Sequence, residues 1–147
     1  VSGPPLTVVV YGTPAPQGSK RHVGRGVLVE SSDRLWPWRE AVRHATVDAL
    51  ADQPDWCPDA EVHLSATFYL RRPHGHYRTG VYAGMLRADT PGWPATRPDL
   101  DKLLRSTLDA LTDAGAVADD ARVVRLTAAK RYADDRAPGA LLLLGAP

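Results

Sequence analysis

Apolar and polar positions alternate along some stretches of this chain and recur at helical spacing along others. In EVHLSATFYL, Val62, Leu64, Ala66, Phe68 and Leu70 share one side of the alternation, which predicts a strand with one buried face. ARVVRLTAAKRYA sets Val124, Leu126 and Ala128 against Arg125, Thr127 and Ala129, a second half-buried strand. LTVVVYG is short and β-branched and reads as a buried first strand, VLVES as a short strand, and GALLLLGA as a final apolar strand. Two segments change to the helical period. In SSDRLWPWREAVRHATVDALA, Pro37 suits a first turn, and Trp38, Ala41, Val42, Ala45 and Ala49 line one side until the prolines of DQPDWCPD stop the helix. In RPDLDKLLRSTLDAL, Leu100, Leu103, Leu104, Leu108 and Leu111 form the apolar stripe, with Asp99 at the cap.

The remaining stretches have no period. Residues 1–6 read as a loose Pro/Gly tail, and TPAPQGSKRHVGRG as a basic loop. Residues 71–97 form a long proline- and glycine-rich loop, a length that in a small domain points to function or disorder. The order β-β-α-β-α-β-β predicts an α+β fold, with a mixed β-sheet and two main helices packed on it. No repeat or linker divides the chain, so residues 1–147 are expected to form a single domain.

Composition narrows the class. A chain of 147 residues, 44% hydrophobic and 24% charged, has the make-up of an ordinary globular domain. Nothing approaches the run of about 20 apolar residues that a membrane span requires, and the start of the chain has no secretion-signal pattern. The lone Cys57 has no internal disulfide partner and reads as inert, so a cytoplasmic protein is expected. A net charge of +1 does not by itself mark a nucleic-acid binder. Of the 18 basic residues only Lys20, Lys102 and Lys130 are lysine, which makes those three candidates for a task needing an ammonium.

The acidic residues raise a sharper question. Asp99 and Asp101 fall at the cap and in the first turn of the second helix, where backbone N–H groups favour anions. VADDARVV then adds Asp119 and Asp120 before the next strand. A helix over 99–112 is about 20 Å long, and the seven residues from Asp113 to Asp119 can span about 23 Å. The spacing therefore permits all these carboxylates to gather at the helix start without requiring it. Three carboxylates within about 5 Å repel by roughly 3 kcal/mol per pair at an effective dielectric of ~20, so a gathered cluster calls for a cation or raised pKa values. All-oxygen ligation selects Mg²⁺, with Mn²⁺ as a substitute, and suits phosphate-ester hydrolysis. The ordinary alternative is a helix cap and a turn aspartate pair.

The basic residues extend this picture. Lys102 and Arg105 lie close to Asp101, placed either to neutralise a phosphate or to form local salt bridges. Lys20, Arg21, His22 and Arg25 fall in one loop, and Arg71, Arg72, His74, His76 and Arg78 in another. Such loops contact a phosphate backbone without an overall basic charge, although each alone reads as solvated loop charge. His74-x-His76 lacks a third soft ligand and reads as loop, while Trp36, Trp38 and Trp56 read as packing and edge residues.

Read in order, YGTPAPQGSKR follows a strand, PWREAV starts a helix, and PDLDKLLRSTLDAL leads after a short turn to ADDARV and then to Lys130. From about Val8 to Tyr132 this pattern resembles the RusA-like Holliday junction resolvases, a family of small phage-associated endodeoxyribonucleases. The resemblance implies a magnesium-dependent homodimer that places paired nicks in a four-way DNA junction. It carries metal-binding aspartates onto Asp99, Asp101 and Asp120, with Asp119 beside them as a second or alternative ligand. Two positions depart from the pattern. Lys102 stands where the family commonly has asparagine, and Arg105 where members with a catalytic lysine carry it. Arginine keeps the charge but does not give up a proton, so Arg105, with Lys102, is expected to stabilise charge rather than transfer protons. Lys20, Arg21, Arg71, Arg72 and Lys130 are the DNA-binding candidates. The alternative is a branched-DNA-binding module that does not cut.

Overall fold

The computed structural model describes residues 3–18, 20–22, 28–30 and 33–147. Its strands are β1 (Leu6–Tyr11), β2 (Lys20–His22), β3 (Leu28–Glu30), β4 (Val62–Leu70), β5 (Val123–Tyr132) and β6 (Gly139–Gly145); its helices are α1 (Leu35–Ala51) and α2 (Leu100–Asp113). Four strands form one mixed sheet in the order β1-β6-β4-β5. β4 and β5 run parallel, and the other two pairs are antiparallel. With two helices on that sheet the fold is α+β, as the periodicities predict. β2 pairs with β3 as a separate antiparallel ribbon, so part of the stretch read as loop is a short strand.

The core lies between the helices and one face of the sheet. Leu6, Val8 and Val10 of β1, Leu64 and Phe68 of β4, and Leu142 and Leu144 of β6 meet Trp38 and Val42 of α1 and Leu103 and Leu111 of α2. α1 begins without a side-chain cap, and Pro37 sits where an N–H has no intrahelical acceptor to lose. Gly139 pairs with Tyr11 so closely that a Cβ there would collide with the Val10 carbonyl oxygen. Only glycine fits that crossing.

Two strands differ from their sequence pattern. β1 is half-buried: Val9 and Tyr11 are exposed because they lie on the sheet face that carries no helix among the described residues, on an edge strand paired with β6. β5 forms the other edge. Leu126 pairs with Leu64 and shares its helix-side face, yet it is 47% exposed, and Val124 is 58% exposed. The alternation identified the side correctly, but the helices do not reach far enough across the sheet to cover it. Among the described residues no helix is long and apolar enough to cross a membrane.

Candidate active site

α2 is held along its length by contacts that decide where its acids stand. Its leucines bury against the sheet, and two buried hydroxyls fix its rotation. Ser106 Oγ donates to the Ala15 carbonyl at 2.7 Å, and Trp38 Nε1 donates to Thr107 Oγ1 at 3.3 Å. Gln17 N donates to the Lys102 carbonyl at 3.1 Å. The Pro/Gly loop after β1 therefore lies against the first turns of α2, so two blocks distant in sequence meet.

Asp99 occupies the N-cap position with extended backbone, but its carboxylate makes no cap hydrogen bond. Among the described residues it approaches only Lys102 Nζ, at 3.5 Å, an exposed pair of little energetic weight. Asp101 is exposed in the first turn. Arg105, one turn on, is exposed and makes no ion pair with Asp101 or Asp109 among the described residues. Asp101, Arg105, Asp109 and Thr112 lie about one turn apart and so share one outward stripe of the helix.

Asp119 and Asp120 stand at the other end of that stripe. α2 ends on Gly115, whose φ of +87° is a left-handed conformation that glycine adopts without strain. Gly115 N donates to the Thr112 carbonyl and Ala116 N to the Leu111 carbonyl, both at 3.0 Å, closing the last turn. Ala118 N then donates to the Pro58 carbonyl at 2.9 Å. The chain therefore turns directly into a short 3-10 segment, Asp120–Arg122, and into β5. The Thr112 hydroxyl donates to Asp120 Oδ1 at 2.7 Å, while Asp119 Oδ1 accepts from Ala121 N at 2.7 Å.

Thirteen residues of helix separate Asp99 from Thr112, a rise of about 20 Å. The gathering of Asp120 with Asp99 and Asp101 inside one chain is thus corrected: the connection is long enough to reach back, but the glycine turn spends it at the far end of α2. Among the described residues no three Asp, Glu, His or Cys side chains are placed to hold one metal ion. Asp119 and Asp120 instead line a cleft of about 290 Å³ with Asp109, Thr112, Asp113 and Arg39. Asp113 is paired there with Arg39 at 2.8 Å.

The basic candidates divide. Arg72 is buried and unavailable to a phosphate backbone, which corrects its DNA-binding role. Its Nε and Nη2 donate to the Asp134 carboxylate at 2.6 and 3.0 Å, its Nη1 donates to the Pro91 carbonyl at 2.8 Å, and its guanidinium lies 4.1 Å over the Tyr132 ring. The hydrogen bonds from Arg72 hold the Asp134 carboxyl below its usual pKa. His76 stacks edge-on against Tyr132 in the same cluster. Arg72 thereby ties the long loop to the end of β5.

Lys130 is also engaged. Its ammonium donates to the carbonyls of Thr96 and Pro98 at 2.7 and 2.9 Å, bracing the segment that leads into Asp99. Arg71, by contrast, is exposed and lines a cleft of about 290 Å³ with Arg34, Arg97, Pro14, Pro98 and Tyr132. Arg34 and Arg97 were missed by the motif reading, although Arg97 directly precedes PDLD. Lys20 and Arg21 fall on β2, whose side chains lie outside the described residues, as does Arg25.

The stripe therefore presents carboxylates at both ends and an exposed guanidinium between them, an arrangement suited to phosphate chemistry. The family model of the endodeoxyribonuclease RusA matches residues 11–140, nearly the whole chain and both acidic blocks. Among curated proteins none matches it.

Proposed function

The chain belongs to the RusA endodeoxyribonuclease family, and from that premise we propose that it is a Mg²⁺-dependent homodimer resolving four-way DNA junctions in the cytoplasm by paired nicks. The family's activity on Holliday junctions supports the substrate. The observation that carries the reading is the exposure of the acids at the start of α2, where Asp99 meets Lys102 at 3.5 Å. Asp99 has the position of a helix cap and does not cap, and Asp101 is exposed beside it. Exposed carboxylates on a surface that meets DNA repel it unless a cation intervenes.

The donor set fits a hard divalent cation, since every candidate ligand is a carboxylate oxygen. Held there, the cation would supply activation of water and polarisation of the phosphoryl oxygen. One chain offers Asp99 and Asp101 at one end of α2 and Asp119 and Asp120 at the other. A two-fold axis across the middle of α2, with the outward stripes of two copies facing each other antiparallel, sets Asp99 and Asp101 against Asp119 and Asp120 of the partner subunit. The same contact makes both ends equivalent, so a dimer has two complete sites about 20 Å apart. Leu126 and the half-buried Leu108 supply apolar surface along that seam. Arg105 projects from the stripe to stabilise charge on the phosphate, and Arg34, Arg71 and Arg97 guide the backbone toward Asp99. Lys130 holds Asp99 in place through the carbonyls that precede it.

The test is a synthetic four-way junction incubated with and without Mg²⁺. Symmetric nicks that need the metal are expected. A retarded complex without nicks in Mg²⁺ or Mn²⁺ would make the protein a branched-DNA-binding module.

A further inference from the structure

The sheet face opposite α1 and α2 carries no helix among the described residues. The register sets Arg131 beside Tyr69 and Arg125 beside His63 on that face, while β1 and β6 contribute Val9, Tyr11, Leu141 and Leu143. At one end two further residues fold onto it. The guanidinium of Arg131 lies 5.0 Å over the ring of Trp93 from the long loop, and that of Arg136 lies 3.7 Å over the ring of Tyr69. A hollow of about 510 Å³ opens beside Arg131, Arg136 and Tyr69, next to the loop residue Gly92 that precedes Trp93. Trp93 is 59% exposed despite its contact with Arg131.

These arginines are oriented but not satisfied. A guanidinium stacked on a ring keeps its in-plane N–H groups free, and those match the oxygens of a phosphate. Among the described residues Arg136 Nε is shut off from water and meets no hydrogen-bond acceptor, a costly state for a donor. The four strands of the sheet place no carboxylate on this face; of the two carboxylates that line the hollow, Asp134 is held by Arg72 and Asp135 remains beside the arginines.

We propose that this open face binds an unpaired DNA strand, with a phosphate between Arg131 and Arg136 and a base against Trp93. An open sheet face bearing rings and guanidiniums suits splayed bases, whereas a duplex groove is entered by a projecting helix or ribbon. The proposal rests on the reading above only in taking DNA as the substrate, and it deepens that reading by selecting branched DNA with an unpaired arm. The face lies across the sheet from the acids on α2, so the two sites bind different parts of one substrate.

Anisotropy of a labelled thymidine oligomer of about 15 nucleotides, in EDTA at about 50 mM salt, reads this site without cleavage. The native protein is expected to bind it. Arg131→Gln with Arg136→Gln is expected to weaken binding about tenfold and to lower the salt slope by about 0.7, the loss of one single-strand phosphate contact. Trp93→Ala, in a surface loop, is expected to weaken binding about fivefold and guards against misfolding of the double variant. Thermal melting verifies folding of both. Native affinity in both folded variants overturns the proposal, as does absence of oligomer binding by the native protein. Loss of the dimer in the double variant also overturns it, and makes this face a subunit contact. Failure of junction cleavage by the native protein would sink the resolvase reading and leave the oligomer result standing.

Discussion

The Thr112 hydroxyl and the Asp120 carboxylate meet at 2.7 Å, and this contact keeps the two acidic motifs of the chain at opposite ends of α2. Asp99 and Asp101 occupy the start of the same helix. No rotation of side chains closes a gap of about 20 Å. A site using all three aspartates would therefore draw on two chains, which in the proposed dimer joins metal binding to assembly.

Complementation tests the shared site. Asp99→Asn and Asp120→Asn are each expected to abolish junction cleavage while retaining binding in Ca²⁺. Mixed and re-equilibrated, the two variants form heterodimers with one intact site and one doubly altered site. Nicking should return to about a quarter of the native site number, without paired cuts. Sedimentation should show a species near twice the 15.9 kDa chain mass. Silence of the mixture, with dimers present, would exclude a site built from both subunits. Asp48→Asn, exposed on α1, is the control, because Asp113 is ion-paired to Arg39 in the cleft that holds Asp120.

Arg105 separates charge stabilisation from helix salt bridging. Arg105→Lys should retain most activity, and Arg105→Ala should lose at least about tenfold, a barrier increase of about 1.4 kcal/mol. The rate under saturating junction decides it. Full activity in the alanine variant would move the role to Lys102.

Lys130 is expected to position Asp99 rather than to grip DNA. Lys130→Met should slow cleavage about tenfold while leaving the salt slope of junction binding unchanged. A slope reduced by about 1, with cleavage of bound junction unaffected, would return Lys130 to the phosphate contacts.

The Arg72–Asp134 pair predicts a pH dependence of stability. The Asp134 carboxyl is depressed by hydrogen bonds from Arg72, so the folded state binds its proton less readily than the unfolded chain. Its contribution is present above the unfolded value of about 3.9 and is lost as pH falls through the lower folded value. Asp134→Asn should therefore destabilise at pH near 7 by about 1–2 kcal/mol, a figure discounted for the 43% exposure of the Asp134 side chain. The gap from the native protein should narrow below about pH 4. Melting curves that run parallel from neutral to acid pH would remove the pair from the stability of the long loop.

The sequence by itself determined the elements whose pattern is local. β4 and α2 are legible because alternation and the helical period follow from backbone geometry, and a leucine stripe has one way to be buried. The PDLD and DD blocks are legible because they are contiguous. What the tertiary structure decided concerns neighbours. Alternation marks the helix-side face of Leu126 but cannot say that β5 is an edge strand left uncovered. The basic loop placed Arg72 among the DNA-binding candidates, because nothing local announces an Asp134 sixty-two residues away. Chain length bounds the reach from Asp113 to Asp119 from above, whereas Gly115, the Leu111 and Thr112 carbonyls and the contact with Pro58 set the path taken. An upper bound on distance is a property of the chain; the distance itself belongs to the packing that pays for the turn.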